Sequence, residues 1–556
     1  MEGKVVHHWT PSSIKWRFLI VVLLVLGLFF RFVNLDRKVY WFDETYTSLR
    51  ISGYRDRQVV EQVFDGRVIS IEDLHKYQRV NPEKSVINTV QSLVKEDPHH
   101  PPLYYIIARI WAGWFGDSVA IVRSLSVILS LVLFPSIYWL CLELFASPLV
   151  GWITVALIAI SPFHVLYAQE ARQYGWWSAT LLLASAALLR AMRLKTKLSW
   201  GIYAAAIVVG LYTYIFTSFV ALGHASYVAI IERFRLTKVS VAYLLASLAV
   251  IIAYLPWILV LIAGALQIED TTVQVRRAVP LLRLAKAWVT RTGYAFVDFQ
   301  PYSEATNLTP LLFFQFVLAL CALFLFIYSL YFLCRNSPKS VWLFSLTLIA
   351  SSVLPLLLPD LIFGGSLSTN NRYLSPYFLG VQLSVAFLLA NRINSSSLKN
   401  WQRTMWQLIT LVVFSSGLLS CVISSQAVVW WNKGGTYHIP EIAQIINQAQ
   451  KPLVVSDHRT NYQNNVVGEI MSLTYRLDPK VKLQLVVQPN IPKIPKGFSD
   501  VFLFNPSDTL RNGLEKEQNY RIEPLYERQQ PLPASLWKLR KVKTVSHVNN
   551  NVTHVA

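Results

Sequence analysis

Long apolar runs decide the fold class of this chain. Residues 243–266 read YLLASLAVIIAYLPWILVLIAGAL, residues 310–334 read PLLFFQFVLALCALFLFIYSLYFLC, and neither run contains a charged residue. A helix of about 20 apolar residues crosses a hydrocarbon layer roughly 30 Å thick. Such a helix also satisfies its own backbone hydrogen bonds, as lipid requires. The runs therefore predict an all-α, polytopic membrane protein.

Composition and charge agree with this class. Of the 556 residues, 54% are hydrophobic and 15% are charged, and the formal net charge is +20. The basic residues mostly separate the apolar runs, which is typical of cytoplasmic loops and of contacts with anionic headgroups. We therefore expect membrane lipids as partners and no nucleic acid. The four cysteines lie within or at the ends of apolar runs, so no disulfide framework is predicted.

The basic residues also predict the topology, because basic loops stay cytoplasmic. Lys4, Lys15 and Arg17 place the N-terminus inside, and the basic stretch 190–197 must lie inside as well. The run 103–115 is too short to span and is predicted as an interfacial helix of a first external loop, 34–118. About eleven transmembrane helices result, predicted at 18–33, 119–145, 149–166, 174–189, two within 200–231, 241–263, 311–334, 341–358, 373–390 and 406–424.

The chain is predicted to have two domains and a tail. Residues 1–425 form the transmembrane domain, with the first span kept as an anchor because it lacks a cleavage site. Residues 426–545 form a small external α/β domain, and 546–556 a disordered tail. Within the second domain we expect a helix at 441–450 and strands at 453–456, 483–487, 501–505 and 536–539.

An acidic pair, Asp43-Glu44, follows the first predicted span and the aromatic residues 40–42. One interpretation is helix capping, since acidic residues are favoured in a first helical turn. The other is function, because two carboxylates at the membrane boundary can take a proton from an acceptor or hold a cation. We predict catalytic roles for both residues.

A second cluster, residues 97–105, reads DPHHPPLYY. Its prolines hold the chain extended before the next helix and then start that helix. His99 and His100 can bind a metal or an acceptor, or they are an ordinary polar surface feature. We predict that His99, His100 and Tyr104 line the acceptor or sugar pocket.

A third cluster, residues 169–174, reads QEARQY. A helix would place Glu170 and Tyr174 on one face. Arg172 can bind a phosphate or neutralise Glu170, and the alternative is an interfacial cap with a snorkelling arginine. We predict a catalytic role for Glu170, phosphate binding by Arg172 and a place in the sugar pocket for Tyr174.

The fourth cluster, residues 370–376, reads NNRYLSP at the start of a predicted span. The Arg372 guanidinium can grip a phosphate through two hydrogen bonds. The alternative is a plain interfacial anchor. We predict that Arg372 and Tyr373 belong to the binding site for the donor phosphate.

These motifs together resemble the bacterial relatives of the dolichyl-phosphate-mannose protein mannosyltransferases, which are C-type membrane glycosyltransferases and include the aminoarabinose transferases. The resemblance covers roughly residues 15–390. It rests on the Asp-Glu pair, on HPPLYY at 100–105, on Ser161-Pro162 leading to YAQEARQY at 167–174, and on Arg372-Tyr373.

The resemblance implies the C-type fold, a polyprenyl-phosphate-linked sugar as donor and an active site on the extracytoplasmic face of the cell (inner) membrane. Asp43 matches the carboxylate that acts as base or acceptor-site group, and Glu170 matches a second acidic position. Some relatives bind a divalent metal and others do not, so His99 and His100 leave metal dependence and the metal ligands open.

We therefore expect a hexosyl- or pentosyltransferase with Asp43 as base. The acceptor is a protein, a glycolipid or a polymer. The main alternative is a polytopic lipid or sugar transporter or flippase, which would need charged or broken helices at mid-membrane depth. A further alternative is a non-catalytic scaffold that acts through its C-terminal domain.

Overall fold

The computed structural model describes residues 14–266, 279–299, 310–459, 466–528 and 534–541. The predicted disordered tail, 546–556, lies outside this part of the chain. The fold comprises two compact units. The first contains the residues up to Tyr54 together with Gln78–Gly434, and the second contains Arg55–Tyr77 and the described residues from Gly435 onward.

The helices and strands are numbered along the chain. The helices are α1 (Ile14–Phe32), α2 (Phe42–Ser52), α3 (Asp56–Val63), α4 (Ile71–His75), α5 (Val86–Glu96), α6 (Leu103–Phe115), α7 (Val119–Leu131), α8 (Leu133–Phe145), α9 (Pro148–Ala159), α10 (Pro162–Ala168), α11 (Tyr174–Leu194), α12 (Lys197–Thr213), α13 (Thr217–Ile231), α14 (Lys238–Ala263), α15 (Leu281–Gly293), α16 (Pro310–Asn336), α17 (Lys339–Phe363), α18 (Ser375–Ile393), α19 (Asn400–Gln426), α20 (Ile439–Asn447), α21 (Val466–Thr474) and α22 (Asp508–Gln518). The strands are β1 (Asp65–Ser70), β2 (Pro452–His458), β3 (Lys482–Val487), β4 (Asp500–Phe504), β5 (Tyr520–Arg528) and β6 (Ala534–Lys541).

The first unit is a helical bundle of a multi-pass membrane protein. Six of the described helical segments are long and apolar enough to cross a membrane, namely Val119–Phe145, Lys238–Ala263, Pro310–Asn336, Lys339–Phe363, Ser375–Ile393 and Asn400–Gln426. The bent pair α9–α10 would be a seventh. Helices also lie at the other predicted spans. The two spans predicted within 200–231 correspond to α12 and α13, which have only 17 and 15 residues and are short for a membrane crossing. The mostly helical membrane fold is confirmed, and the number eleven stays a prediction.

The span predicted at 149–166 is not one straight helix. It breaks into α9 and α10, which meet at an angle of 61°, because Pro162 starts a new helix and removes a backbone donor. Buried Arg31 donates to the carbonyl of Ile158 at 3.0 Å and to that of Ala159 at 2.6 Å, so carbonyls at the break keep partners. Gly27 permits this approach, since a Cβ there would lie 2.5 Å from the Ala159 oxygen.

The second unit contains a six-stranded sheet in the order β1-β3-β2-β4-β6-β5. Strand β2 pairs in parallel with β3 and β4, and the remaining pairings are antiparallel. Its core includes Leu453, Val455, Leu503 and Leu514, which are fully buried. The four predicted strands overlap β2, β3, β4 and β6, and the predicted helix overlaps α20.

Strands β1 and β5 were not predicted from the sequence. Strand β1 lies within the first external loop of the predicted plan and pairs with β3. Residues 55–77, which were assigned with the whole of 34–118 to the membrane domain, therefore belong to the second unit. The other predicted domain boundaries stay predictions.

Candidate active site

One buried arginine holds the segment that follows α1. Arg123 of α7 donates from Nε and Nη2 to the two carboxylate oxygens of Glu44 at 2.8 and 2.7 Å. The same guanidinium donates to the carbonyls of Leu35, Lys38 and Val39 at 2.6, 3.0 and 2.9 Å. An arginine within an apolar helix is costly unless its donors are satisfied. Here they fix the path of the chain from α1 into α2.

Glu44 faces a second buried carboxylate, Glu170, and a lysine lies between them. The Lys433 ammonium is 3.1 Å from Glu44 Oε2 and 3.1 Å from Glu170 Oε1. The Ala171 N–H donates to Glu44 Oε1 at 2.8 Å, and Asn432 Nδ2 donates to Glu170 Oε1 at 2.7 Å. Both carboxylates are 0% exposed, so this network joins three separate segments away from water.

The two carboxylates differ in protonation. Burial raises the pKa of Glu44, but Arg123 and Lys433 outweigh burial and lower that pKa to about 2. Burial also raises the pKa of Glu170, and because Lys433 offsets this only in part and the charge of Glu44 adds to it, the pKa reaches about 7. Glu170 Oε2 has no hydrogen-bond partner among the described residues. Glu44 is therefore a fixed anion, whereas Glu170 can exchange a proton near neutral pH.

Asp43 points to a different partner from its neighbour Glu44. Its carboxylate pairs with the guanidinium of Arg372, which also lies 5.7 Å from the Trp41 ring centroid and 3.5 Å from the Tyr174 hydroxyl. The Asp43 and Arg372 side chains are 13% and 23% exposed. Unlike Glu44, this pair can be reached from outside the network, as a reacting group requires.

A second arginine lies beside this pair. Arg172 Nη1 donates to the hydroxyls of Tyr105 and Thr47 at 3.1 and 3.3 Å. Its Nη2 lies 2.7 Å from His100 Nε2, and His100 Nδ1 lies 2.7 Å from Asp97 Oδ1. A guanidinium only donates, so His100 accepts at Nε2 and its Nδ1–H donates to Asp97. Burial lowers the pKa of His100 to about 4 although Asp97 opposes it, which agrees with a neutral ring.

Asp97, His99 and His100 have donor atoms within 4.8 Å of one another, a set that can hold a metal ion. His99 Nδ1 lies 3.2 Å from Asp97 Oδ1. A metal on His100 Nδ1 would displace the proton given to Asp97 and require a proton on Nε2, where Arg172 already donates. Coordination through His100 Nδ1 therefore does not fit the hydrogen bonds of this arrangement, in which Asp97 and His100 support Arg172.

The remaining predicted residues lie close by. The Tyr104 hydroxyl pairs with Ser126 at 2.7 Å, and Tyr105, which was not singled out, is the tyrosine that contacts Arg172. The Tyr373 ring centroid lies 5.4 Å from the Arg372 guanidinium carbon. All ten predicted residues fall in one region of the first unit: Asp43, Glu44, His99, His100, Tyr104, Glu170, Arg172, Tyr174, Arg372 and Tyr373. Their roles stay predictions.

Sequence reasoning missed Arg123, Asn432 and Lys433. Arg123 carried a signal, since a charged residue within an apolar run usually marks a site. Asn432 and Lys433 follow the last predicted span, 406–424, and no local pattern marks them. In the structure Trp430 is 0% exposed and donates to Asp298 at 2.8 Å, so this segment is built into the site.

The fold is similar to that of two C-type membrane glycosyltransferases. The crystal structure of ArnT, an aminoarabinose transferase, from Cupriavidus metallidurans in the apo state aligns over 95% of this chain and 98% of its own, with TM-score 0.50 and 10% identity. The apo crystal structure of the Archaeoglobus fulgidus oligosaccharyltransferase aligns over 86% of this chain with TM-score 0.50 and 12% identity, and the alignment spans 65% of that longer protein. At such identities these likenesses show the fold. No protein-family model and no curated protein matches the chain.

Proposed function

We propose that the protein is a membrane glycosyltransferase that moves a sugar from a polyprenyl-phosphate-linked donor to an acceptor on the extracytoplasmic face. The observation that carries this proposal is the reachable ion pair of Asp43 and Arg372, with Arg172 beside it. An acid that can take a proton and two guanidiniums that can bind a phosphate are the groups that such a transfer needs.

The negative charge of the phosphate rises as it leaves the sugar, which supports Arg172 and Arg372 as the groups that bind it. A sugar-linked lipid phosphate is a diester with one negative charge. When the bond between the anomeric carbon and the phosphate oxygen breaks, the phosphate leaves with the electron pair as a monoester of higher negative charge. Arg172 and Arg372 would therefore bind the departing group more tightly than the intact donor, and such differential binding accelerates the reaction.

Asp43 is the proposed base, because its carboxylate is held next to the proposed phosphate site without being locked in the buried network. In the free protein it pairs with Arg372. Donor phosphate competes for that guanidinium and leaves Asp43 to accept the proton of an acceptor hydroxyl. The acceptor oxygen then bonds to the anomeric carbon in one step, which inverts its configuration.

The role proposed for Glu44 changes with the geometry. Its bidentate pair with Arg123, its contact with Lys433 and the low pKa of its carboxyl suit a structural anion better than a base. Glu170, whose pKa is raised to about 7, stays in the proposed mechanism as a carboxyl that can gain or lose a proton and so change the charge near Asp43.

The site lies where loops join helices, which favours chemistry at a membrane surface over passage through the bilayer. Asp43 follows α1, Glu170 and Arg172 follow α10, and Arg372 precedes α18. The acceptor in this proposal is a protein, glycolipid or polymer hydroxyl, and the sugar is a hexose or a pentose.

The experiment is a transfer assay with the purified full chain in lipid nanodiscs. A panel of radiolabelled polyprenyl-phosphate hexoses and pentoses is supplied together with protein, glycolipid and polymer acceptors, and the release of polyprenyl phosphate and the labelled product are followed. Arg372→Lys keeps the positive charge but loses the paired N–H donors that bind a phosphate bidentately, so we expect about tenfold slower release of polyprenyl phosphate. Release by Arg372→Gln, which also loses the charge, should be slower still. Wild-type protein that releases no sugar from any donor contradicts the proposal.

A parallel assay in sealed proteoliposomes separates transfer from transport. The labelled lipid-linked sugars are placed in one leaflet with the same acceptors present, and the movement and the chemical fate of the sugars are measured together. The proposal predicts cleavage of the donor, whereas movement of intact donor without cleavage would favour a flippase.

A further inference from the structure

Lys433 lies between two segments that carry the proposed reactive groups, the start of α2 and the connection from α10 to α11. Its ammonium is 3.1 Å from a carboxylate oxygen of Glu44 and 3.1 Å from one of Glu170. Glu44 is the immediate neighbour of Asp43, and Glu170 lies two residues before Arg172. One side chain therefore connects the segment of the proposed base with the segment of a proposed phosphate-binding group.

The lysine is itself anchored from its own segment. Residues Trp431–Lys433 form a short 3₁₀ helix, preceded by Trp430, and the indole N–H groups of Trp430 and Trp431 donate to Asp298 Oδ2 at 2.8 and 2.6 Å. The Trp431 ring also stacks on Tyr294 with centroids 4.6 Å apart and an angle of 6° between the rings. Since the backbone around it is held in this way, the ammonium is a fixed point and not a mobile surface charge.

Charge balance explains why a cation is needed at this point. Glu44 already has Arg123, but among the described residues Lys433 is the one basic side chain within ion-pair distance of Glu170. Without it, two fully buried carboxylates would face each other across the gap, and an unpaired buried charge is strongly destabilising. A lysine ammonium offers three donors around a single point, so it can reach both carboxylates at once.

We propose that Lys433 is a positioning residue: its ammonium ties the Glu44 and Glu170 carboxylates together and so sets the distance between Asp43 and Arg172. This inference rests on the proposed function for its catalytic meaning. The link itself is a property of the fold and can be tested without any substrate.

The first test is a charge-balance cycle on thermal unfolding at pH 8 in detergent, with Lys433→Met, Glu170→Gln and both together. We expect Lys433→Met to lower the unfolding midpoint and the added Glu170→Gln to restore most of the loss, because it removes the buried carboxylate left without a cation. Lys38→Met is the matched control, since Lys38 is also buried but donates to the neutral amide of Gln169. Additive effects in the Lys433 cycle, or equal restoration in the Lys38 background, overturn the link.

The second test compares the kinetics of the double variant with those of Glu170→Gln alone, so that residue 170 is the same in both. If Lys433 positions Asp43 relative to Arg172, the double variant is folded and binds donor with a similar KM. Its kcat is then about 10²-fold lower, because a misplacement of these side chains by about 1 Å can cause such a loss. Equal kcat values in the two proteins overturn the positioning role. Wild-type protein that is inactive with every donor refutes the proposed function, and the unfolding cycle still judges the link.

Discussion

Glu170 should make the stability of the protein depend on pH in a direction opposite to that of an ordinary carboxylate. Its pKa is raised from the usual 4.5 to about 7, first by burial and then by the negative charge of Glu44. In the unfolded chain the carboxyl loses its proton near pH 4.5, so between these values the folded state binds more protons. Stability must therefore fall as the pH rises through this window.

The gap between the two pKa values sets the size of the effect. At about 1.4 kcal/mol per pKa unit it corresponds to about 3 kcal/mol of stability lost between pH 4.5 and pH 8. Glu170→Gln removes the titration while its amide oxygen can still accept from Lys433 and Asn432. We expect the free energy of unfolding of the variant, relative to wild type, to rise by about this amount over the same range.

The measurement is the unfolding of both proteins in detergent at pH 4.5, 5.5, 6.5 and 8. Asp73→Asn is the control, because hydrogen bonds from Ser70 lower the pKa of Asp73 below its usual 3.8. Both the folded and the unfolded Asp73 carboxyl are therefore ionised over this range, and the difference between wild type and Asp73→Asn should stay nearly constant from pH 4.5 to pH 8. A difference between wild type and Glu170→Gln that does not change with pH would refute the account of this carboxyl.

Three further predictions concern other parts of the molecule. Gly27→Ala should destabilise the first unit by about 1–3 kcal/mol, because the added Cβ would lie 2.5 Å from a carbonyl oxygen of α9. Gly201→Ala is the control: the added Cβ has nothing within 4 Å, so the variant should gain up to about 1 kcal/mol of stability. Unfolding curves of the two variants measure the difference. Asp97→Asn should lower kcat about tenfold with a smaller change in the KM for the donor, since it weakens the support of Arg172, which holds the departing phosphate, and unchanged kinetics would exclude that role. Ser507→Ala removes the acceptor for the Leu510 N–H and should cost the second unit about 1 kcal/mol in thermal unfolding.

Helices and strands that are bounded by proline, glycine or other turn residues were predictable from the sequence. The interfacial helix expected at 103–115 is α6, Leu103–Phe115, because prolines precede it and Gly116, with φ 102°, ends it. Whether α6 lies at the interface stays a prediction. Four strands were found because apolar runs stood between turn residues. Strand β5, with Pro524 and alternating polar residues, is half exposed and offers no such run.

Clusters of site residues were predictable where they adjoin helix ends, and their partners were not. Asp43 and Arg372 both follow from local patterns, but their ion pair joins residues 329 positions apart. Lys433 and Glu44 are 389 positions apart, and Arg123 and Glu44 are 79 apart. Such pairings depend on how helices pack, which no local pattern encodes. At the break between α9 and α10, Pro162 is a local signal, but the contact of Arg31 with Ala159 joins residues 128 positions apart.

The most direct test of the account is the rate of sugar transfer by Asp43→Asn, measured in single turnovers with the donor that wild type cleaves. Asp36→Asn is the matched control, because Asp36 is an exposed carboxylate in the segment between α1 and α2. We expect a rate about 10²–10⁴-fold below wild type for Asp43→Asn, with a correctly folded protein, and no comparable loss for Asp36→Asn. Turnover of Asp43→Asn at the wild-type rate would contradict it.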